Sequence, residues 1–375
     1  MKIGVPKEIK SYEYRVGLTP TSVRELVAHG HHVYIETGAG HEIDLTDDAY
    51  RQAGAEILDN AHAVFEKADM IVKVKEPQPN ECKMLRPDQI LFTYLHLAPD
   101  PEQAKLLIDS KCIAIGYETV TDSRGGLPLL APMSEVAGRM SVQAGARALE
   151  IAQGGRGVLL GGVPGVPPAE VVVLGGGVVG SNAIRIAIGM EASVTVIDKS
   201  IHQLRRLDNE YGAALNTIFA TKDAIEIYAK RADLVIGAVL VPGGFAPKLI
   251  TRDLLKEMKR GAVLVDVSID QGGCFETSKP TTHKDPTYEV EGVVHYCVAN
   301  MPGAAPRTST FALNNATLPF VLEIANLGVR GALEKDPHLK EGLNIYRGKV
   351  THPAVAQALN YEYVPVSQSM LLSHA

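Results

Sequence analysis

One stretch of this 375-residue chain restricts its fold more than any other: VVVLGGGVVGSNAIRIAIGMEASVTVID, residues 171–198. A four-residue apolar run is followed by Gly175, Gly177 and Gly180 in a GxGxxG pattern, and then by a helical pattern. Gly175 permits a tight turn, Gly177 lets the backbone approach a pyrophosphate, and Gly180 lets the following helix lie close to a sheet. That helix opens at Val178 and Val179, where unpaired N–H groups and the positive dipole end favour an anion. Asp198 ends the next β pattern, 23 residues after Gly175, near the about 20 expected for a ribose-binding carboxylate. A carboxylate there accepts hydrogen bonds from ribose hydroxyls and repels a 2′-phosphate, so NAD is expected rather than NADP. Arg205 and Arg206 are a mild counter-signal and fit a solvated helix face equally well.

The rest of the chain repeats the same alternation of β and helical patterns. Strands are expected at Lys2–Pro6, His32–Glu36, Met70–Val74, Ile90–Leu95 and Cys112–Tyr117, with helices at Thr19–His29, Asp47–Ala53 and from Pro101. A long helix is expected over Ser134–Gln153, capped by Ser134 and ended by Gly154 and Gly155. The Gly/Pro-rich segment after it reads as a linker or an oligomer contact. A second alternating set runs from Glu170 to Val298, and Thr310–Leu327 is helical again. The length calls for two domains. The expected architecture is therefore α/β, two Rossmann-like parallel-sheet domains separated by a cleft. Residues 131–302 form the NAD-binding domain. Residues 1–130 with 303–375 form a discontinuous substrate and catalytic domain, because the tail is too short for a core of its own.

Composition removes several function classes. Net charge is -6 and aromatic residues make up 5% with no Trp. Neither a basic field nor stacking platforms for nucleic acid are present. No uncharged apolar run reaches the about 18 residues of a membrane span. The opening MKIGVPKEIK has no apolar stretch, so no signal peptide is expected. Cys82, Cys112, Cys274 and Cys297 form no CxxC pair, which suits reduced thiols in the cytoplasm.

Candidate chemical groups sit where strands end, since parallel sheets place ligands at the carboxyl ends of strands. IVKVKEP puts Lys75 there, FTYLHLAP puts His96 there, and VLVDVSIDQGG puts Asp270 just past a strand. Each has a plainer reading. His96 can be a satisfied structural residue, Lys75 a surface charge in a run with Lys73, and Asp266 and Asp270 caps of the next turn.

The segments MKIGVPKEIKSYEYRVGLTP, VKVKEP, LFTYLHLA, QGGRGVLLGGVPGV, VLGGGVVG, IGAVLVPG, VDVSIDQGG and ANMPGA resemble alanine dehydrogenases, in family order over residues 1 to about 320. The resemblance implies a cytoplasmic homohexamer that interconverts L-alanine with pyruvate and ammonium using NAD. It implies that Arg15 pairs with the substrate carboxylate and Lys75 with the carbonyl oxygen of pyruvate. His96 would be the acid–base group, and Asp270 would handle water and protons beside the nicotinamide. Ser134, Val239, Leu240, Val267, Ser268, Ile269, Asp270, Val298, Ala299, Asn300 and Met301 match segments that contact NAD in the family. Gln203 and Ala220 depart from the basic residue and serine found in relatives near the adenosine. Some relatives hold magnesium near the positions of Glu118 and Leu327; leucine cannot ligate a metal, so none is assigned. Two other readings are the NAD-binding portion of a proton-translocating transhydrogenase and a non-catalytic NAD-sensing module. The first would lack Arg15, Lys75 and His96 together, and the second would tolerate loss of His96 and Asp270.

Overall fold

The computed structural model describes residues 1–239 and 245–367. In chain order its strands begin with β1 (Lys2–Val5), β2 (His32–Glu36), β3 (Glu56–Leu58), β4 (Met70–Val72), β5 (Ile90–Thr93) and β6 (Ile113–Gly116). There follow β7 (Glu170–Leu174), β8 (Ser193–Asp198), β9 (Leu215–Phe219), β10 (Leu234–Gly237), β11 (Val263–Asp266), β12 (Thr287–Val290) and β13 (Val293–Tyr296). The last two are β14 (Leu343–Tyr346) and β15 (Lys349–Val350). The chain divides into two units, Met1–Pro132 with residues 305–367, and Met133–Ala304.

In the first unit six parallel strands take the order β3-β2-β1-β4-β5-β6, and the sheet is extended by antiparallel β14 and β15. The second unit repeats the order as β9-β8-β7-β10-β11-β13, with antiparallel β12 on its edge. Both are α/β sheets dominated by parallel pairing. Central strands such as β5, β6, β10 and β11 are buried at every position. Helices cover both faces of a parallel sheet, so its strands read as apolar runs rather than alternation. In the second unit Val171, Val173, Val196, Ile236 and Val265 pack with Ile184 and Leu207. In the first, Ile71, Leu91 and Ala114 pack with Ile345, Val350 and Val355, so the C-terminal tail is part of that core.

Local chemistry sets the helix starts. Thr19 caps Pro20–Ala28, with proline in the first turn. Asp100 caps Pro101–Ser110 in the same way. The helix expected over 134–153 instead runs Ala131–Ala148, followed by a short 3-10 turn at Ile151–Gln153. Pro132 occupies its first turn, which leaves Ser134 inside the helix and not its cap. The far end stops because the chain folds back: Gly157 N donates to Leu149 O at 2.8 Å and Gly155 N to Glu150 O at 3.1 Å.

The helix Pro306–Lys335 extends beyond the expected 310–327 and breaks at Gly328, whose φ is 70°. By length and composition it is apolar enough to cross a membrane. Its buried stripe of Thr310, Leu313, Asn314, Thr317, Val321 and Ile324 has the spacing of a helix laid on a core. Strands β3, β12, β14 and β15, with the sequences EIL, TYEV, LNIY and KV, mix polar with apolar residues and carry no apolar run to predict them from.

Candidate active site

In the first unit the loops following neighbouring strands β1, β4, β5 and β6 carry Arg15, Lys75, His96 and Glu118. Arg15 is 2% exposed. Its Nε donates to Glu13 Oε1 at 2.7 Å and its Nη2 to Glu13 Oε2 at 2.6 Å. Burial pulls its pKa down, but the Glu13 hydrogen bonds and charge outweigh burial and raise it. Lys75 is half-buried. Burial and then the charge of Arg15 lower its pKa, so the two cations share one neighbourhood. Arg15 also acts electrostatically on Tyr94, whose ring stacks on His96 with centroids 5.8 Å apart and planes 11° apart. The Tyr94 hydroxyl is fixed by donating to Leu129 O at 2.6 Å. Arg15 thus neighbours Lys75 directly and His96 through Tyr94, at one edge of one sheet.

The backbone at Lys75 is held from beneath. Glu8 Oε1 accepts Val74 N–H at 2.7 Å and Lys75 N–H at 3.2 Å. Glu8 Oε2 accepts from Lys73 Nζ at 3.1 Å, and Lys73 Nζ also donates to Glu81 at 2.7 Å. Lys73 is wholly buried, so it is no member of a surface run with Lys75. Its ammonium is held inside by the Glu8 and Glu81 carboxylates. Burial lowers the pKa of Lys73, but its two carboxylates overcome this and raise it. Burial, in turn, raises that of Glu8 despite Lys73.

In the second unit the glycine loop follows β7. Gly175 has φ 95°, and a Cβ there would lie 2.7 Å from Ala238 O. A Cβ on Gly180 would lie 1.8 Å from Gly175 O, so no side chain fits. Gly177 is exposed with nothing within 4 Å of its Cβ position, and begins the helix Val178–Gly189. Val178 is exposed and Val179 half-buried. Asp198 is the last residue of β8. Its Oδ2 accepts Gly176 N–H at 2.6 Å and its Oδ1 accepts Ser200 N–H at 2.7 Å. Gln203 donates to Gly176 O, as does Ser181 Oγ at 2.9 Å. An open helix N-terminus, a cradle that a side chain would fill, and a carboxylate one strand away fit a dinucleotide.

Other residues of this strand-end edge gather at the same loop. Val239 lies beside Gly175, and its carbonyl accepts Ser268 Oγ at 2.7 Å. Val267 N donates to Gly237 O at 3.0 Å. Ile269 and Asp270 lie on the 3-10 turn Ile269–Gln271. Asp266, which burial raises in pKa despite its hydrogen-bond donors, accepts N–H groups of Ser268 at 3.0 Å and Cys274 at 2.9 Å. It is therefore the internal tie of that loop, and Asp270 is its outer carboxylate. Val298 and Met301 are buried in the core, while Ala299 and Asn300 are half-buried. Ser134 lies one turn before Gly138, whose Cβ position is 2.2 Å from Val179 O. That close approach sets its helix against the start of the glycine-loop helix. Leu240 lies outside the described residues.

Sequence reasoning passed over Glu13, Tyr94 and Glu8. Each acts on backbone or on another side chain, and no local motif announces that. The plainer reading of Asp266, a cap of the next turn, agrees with the N–H groups it accepts there. Among the described residues no group of three or more His, Cys, Asp or Glu is placed to hold a metal ion.

The sequence matches the profile of the alanine dehydrogenase/PNT N-terminal domain over residues 4–137 and that of the C-terminal domain over 141–353. It is 59% identical to an alanine dehydrogenase of Halomonas elongata, covering 97% of this chain and 98% of that one. The chain belongs to the alanine dehydrogenase/PNT family. A second relative, an alanine dehydrogenase of Methanococcus maripaludis, is 53% identical over 99% of this chain and 100% of its own. A solved L-alanine dehydrogenase superposes with a TM-score of 0.94 at 52% identity, covering 96% of this chain and 99% of that chain. A transhydrogenase from Sinorhizobium meliloti superposes at 0.82 with 23% identity, a likeness of fold alone.

Proposed function

We propose that this chain is an NAD-dependent L-alanine dehydrogenase, releasing pyruvate and ammonium. The observation that carries the reading is the gathering of Arg15, Lys75 and His96 at adjacent strand ends of the first unit, in a chain 59% identical to an alanine dehydrogenase. NAD when bound accepts the hydride from Cα. Gly175, Gly177, Gly180, Val178, Val179 and Asp198 hold its pyrophosphate and ribose. The backbone of Val267, Ser268, Ile269, Val298, Ala299, Asn300 and Met301, with Ser134 and Val239, would line the rest.

Arg15 binds the substrate carboxylate through its planar guanidinium. Glu13 aims that guanidinium and has to share it with the substrate. Lys75 donates to the oxygen that becomes the carbonyl of pyruvate. A lowered pKa makes it a readier proton donor, as a positioned acid requires. His96 takes a proton from the water that attacks the substrate iminium, and returns one to the departing amine. Asp270, in the second unit, would handle water and protons beside the nicotinamide.

We place the enzyme in the cytoplasm as a homohexamer. Four buried free cysteines suit a reducing compartment. Exposed Ile151, Leu159, Val163 and Val166 form apolar surface that assembly would cover. Light scattering gives the subunit number. The activity test is the rise of NADH absorbance with NAD and a panel of amino acids. Alanine should lead the panel, and His96→Ala should lose nearly all turnover while leaving NADH binding intact. A silent panel, or a variant as fast as the parent, rejects the reading.

A further inference from the structure

His96 sits on backbone that most side chains avoid. Its φ is 48°, in the left-handed region that disfavours residues with a Cβ. Something must hold it there. The 3-10 turn Tyr117–Thr119 follows β6 and carries Glu118. The Glu118 carboxylate crosses to the chain leaving the neighbouring strand β5. Oε1 accepts His96 N–H at 2.6 Å and Leu95 N–H at 3.1 Å, and Oε2 accepts Leu95 N–H at 3.1 Å. Two consecutive peptide N–H groups therefore point at one carboxylate, an arrangement suited to a negative charge.

The surroundings are built for this. Tyr117 is buried and meets both Phe92 and Tyr94 edge-on, at centroid distances of 4.5 and 5.1 Å. That packing fixes the turn on which Glu118 rides. Gln103 Nε2 donates to Leu95 O at 3.0 Å, so the Leu95 residue is held at both its N–H and its carbonyl.

We infer that Glu118 is the positioning residue of His96. Its carboxylate holds the Leu95–His96 backbone in the left-handed turn that lays the imidazole alongside Tyr94. The inference rests on the proposed role of His96. It adds that the imidazole works only while that turn is pinned.

The test compares Glu118→Ala, Glu118→Gln, His96→Ala and the double variant His96→Ala/Glu118→Ala. Loss of an orienting partner costs about 10–100-fold in activity. Glu118→Ala should lose that much kcat while NADH affinity stays near the parent value. Glu118→Gln keeps an oxygen acceptor and should recover a large part of the loss. In the His96→Ala background, removing Glu118 should cost nothing further, because residues acting as one unit are not additive. With 15N-histidine labelling, the imidazole resonance missing from His96→Ala should move in Glu118→Ala while the other histidines hold still.

Parent-like kcat in Glu118→Ala overturns the inference. So does a parallel loss of NADH affinity, or a further loss in the double variant. If His96→Ala itself turns over normally, the functional reading has failed. The imidazole resonance then still decides whether Glu118 sets the ring, and an unmoved resonance rejects it.

Discussion

Asn314 and Thr19, 295 residues apart in the chain, are joined by a hydrogen bond of 2.8 Å from Thr19 N–H to Asn314 Oδ1. The same oxygen accepts the Ser22 hydroxyl at 3.0 Å, and the amide nitrogen donates to Gly17 O at 3.1 Å and Val16 O at 3.4 Å. One helical turn earlier, Thr310 Oγ1 accepts Val16 N–H at 3.3 Å. One helix of the C-terminal segment thus secures the loop that directly follows Arg15.

Asn314→Ala should therefore loosen the substrate end. It strands buried backbone groups, each costing about 1–3 kcal/mol. KM for alanine and pyruvate should rise, with NADH affinity measured by fluorescence unchanged. Unaltered KM values in a folded variant would mean that the loop holds its shape without Asn314.

Lys73→Met should act on stability. It removes the cation that pairs with two buried carboxylates, Glu8 and Glu81. Breaking a buried pair by deleting one partner costs about 3–5 kcal/mol. Chemical denaturation followed by circular dichroism measures it. Adding Glu8→Gln and Glu81→Gln should restore part of the loss, and a silent Lys73→Met would show the triad to be of no consequence.

His295 gives a pH signature. Burial drives its pKa down from 6.5 to about 4. Its Nδ1 bonds to Val293 O at 3.0 Å, and its Nε2 meets Thr277 Oγ1 at 2.7 Å. The carbonyl can only accept, so Nδ1 carries the proton, the ring is neutral, and Thr277 donates to Nε2. Below pH 6.5 the unfolded chain binds a proton that the folded site refuses. Stability then falls as pH drops toward about 4 and levels off below it. Unfolding midpoints across that window should slope more steeply in the parent than in His295→Asn. Equal slopes would place the titration elsewhere.

Asp198→Ala should narrow the preference for NAD over NADP, by removing both a ribose acceptor and a charge that repels the 2′-phosphate. Because Asp198 also holds Gly176 N–H, NAD affinity should fall as well. The ratio of kcat/KM for the two cofactors, compared between parent and variant, reads the first effect. A ratio left where it was assigns the choice to other residues.

What was legible in the sequence was whatever local pattern encodes. Buried strands such as VVVL and LVIG read directly, because both faces are covered and every position is apolar. The glycine loop read directly, because its three glycines answer to steric demands a few residues away. The strands β3, β12, β14 and β15 did not, since EIL, TYEV, LNIY and KV mix polar with apolar residues and no apolar run marks them. Nor did the supports of the candidate site. Glu118 bonds a backbone 22 residues away and Glu8 one 66 away. Such ties depend on strands that are neighbours in the sheet and not in the chain.

The Asn314 tie also sets a clock. At synthesis rates of about 5–20 residues per second, the 295 residues separating Thr19 from Asn314 take roughly 15–60 s to make. Until then the loop lacks the bonds that Asn314 makes to Thr19 N–H, the Ser22 hydroxyl and Gly17 O. Ribosome-bound chains stalled before residue 306 should expose that loop to protease, and chains released after residue 367 should shield it. The loop after Arg15, the residue proposed to bind the substrate carboxylate, is thus among the first to leave the ribosome and among the last to be set in place.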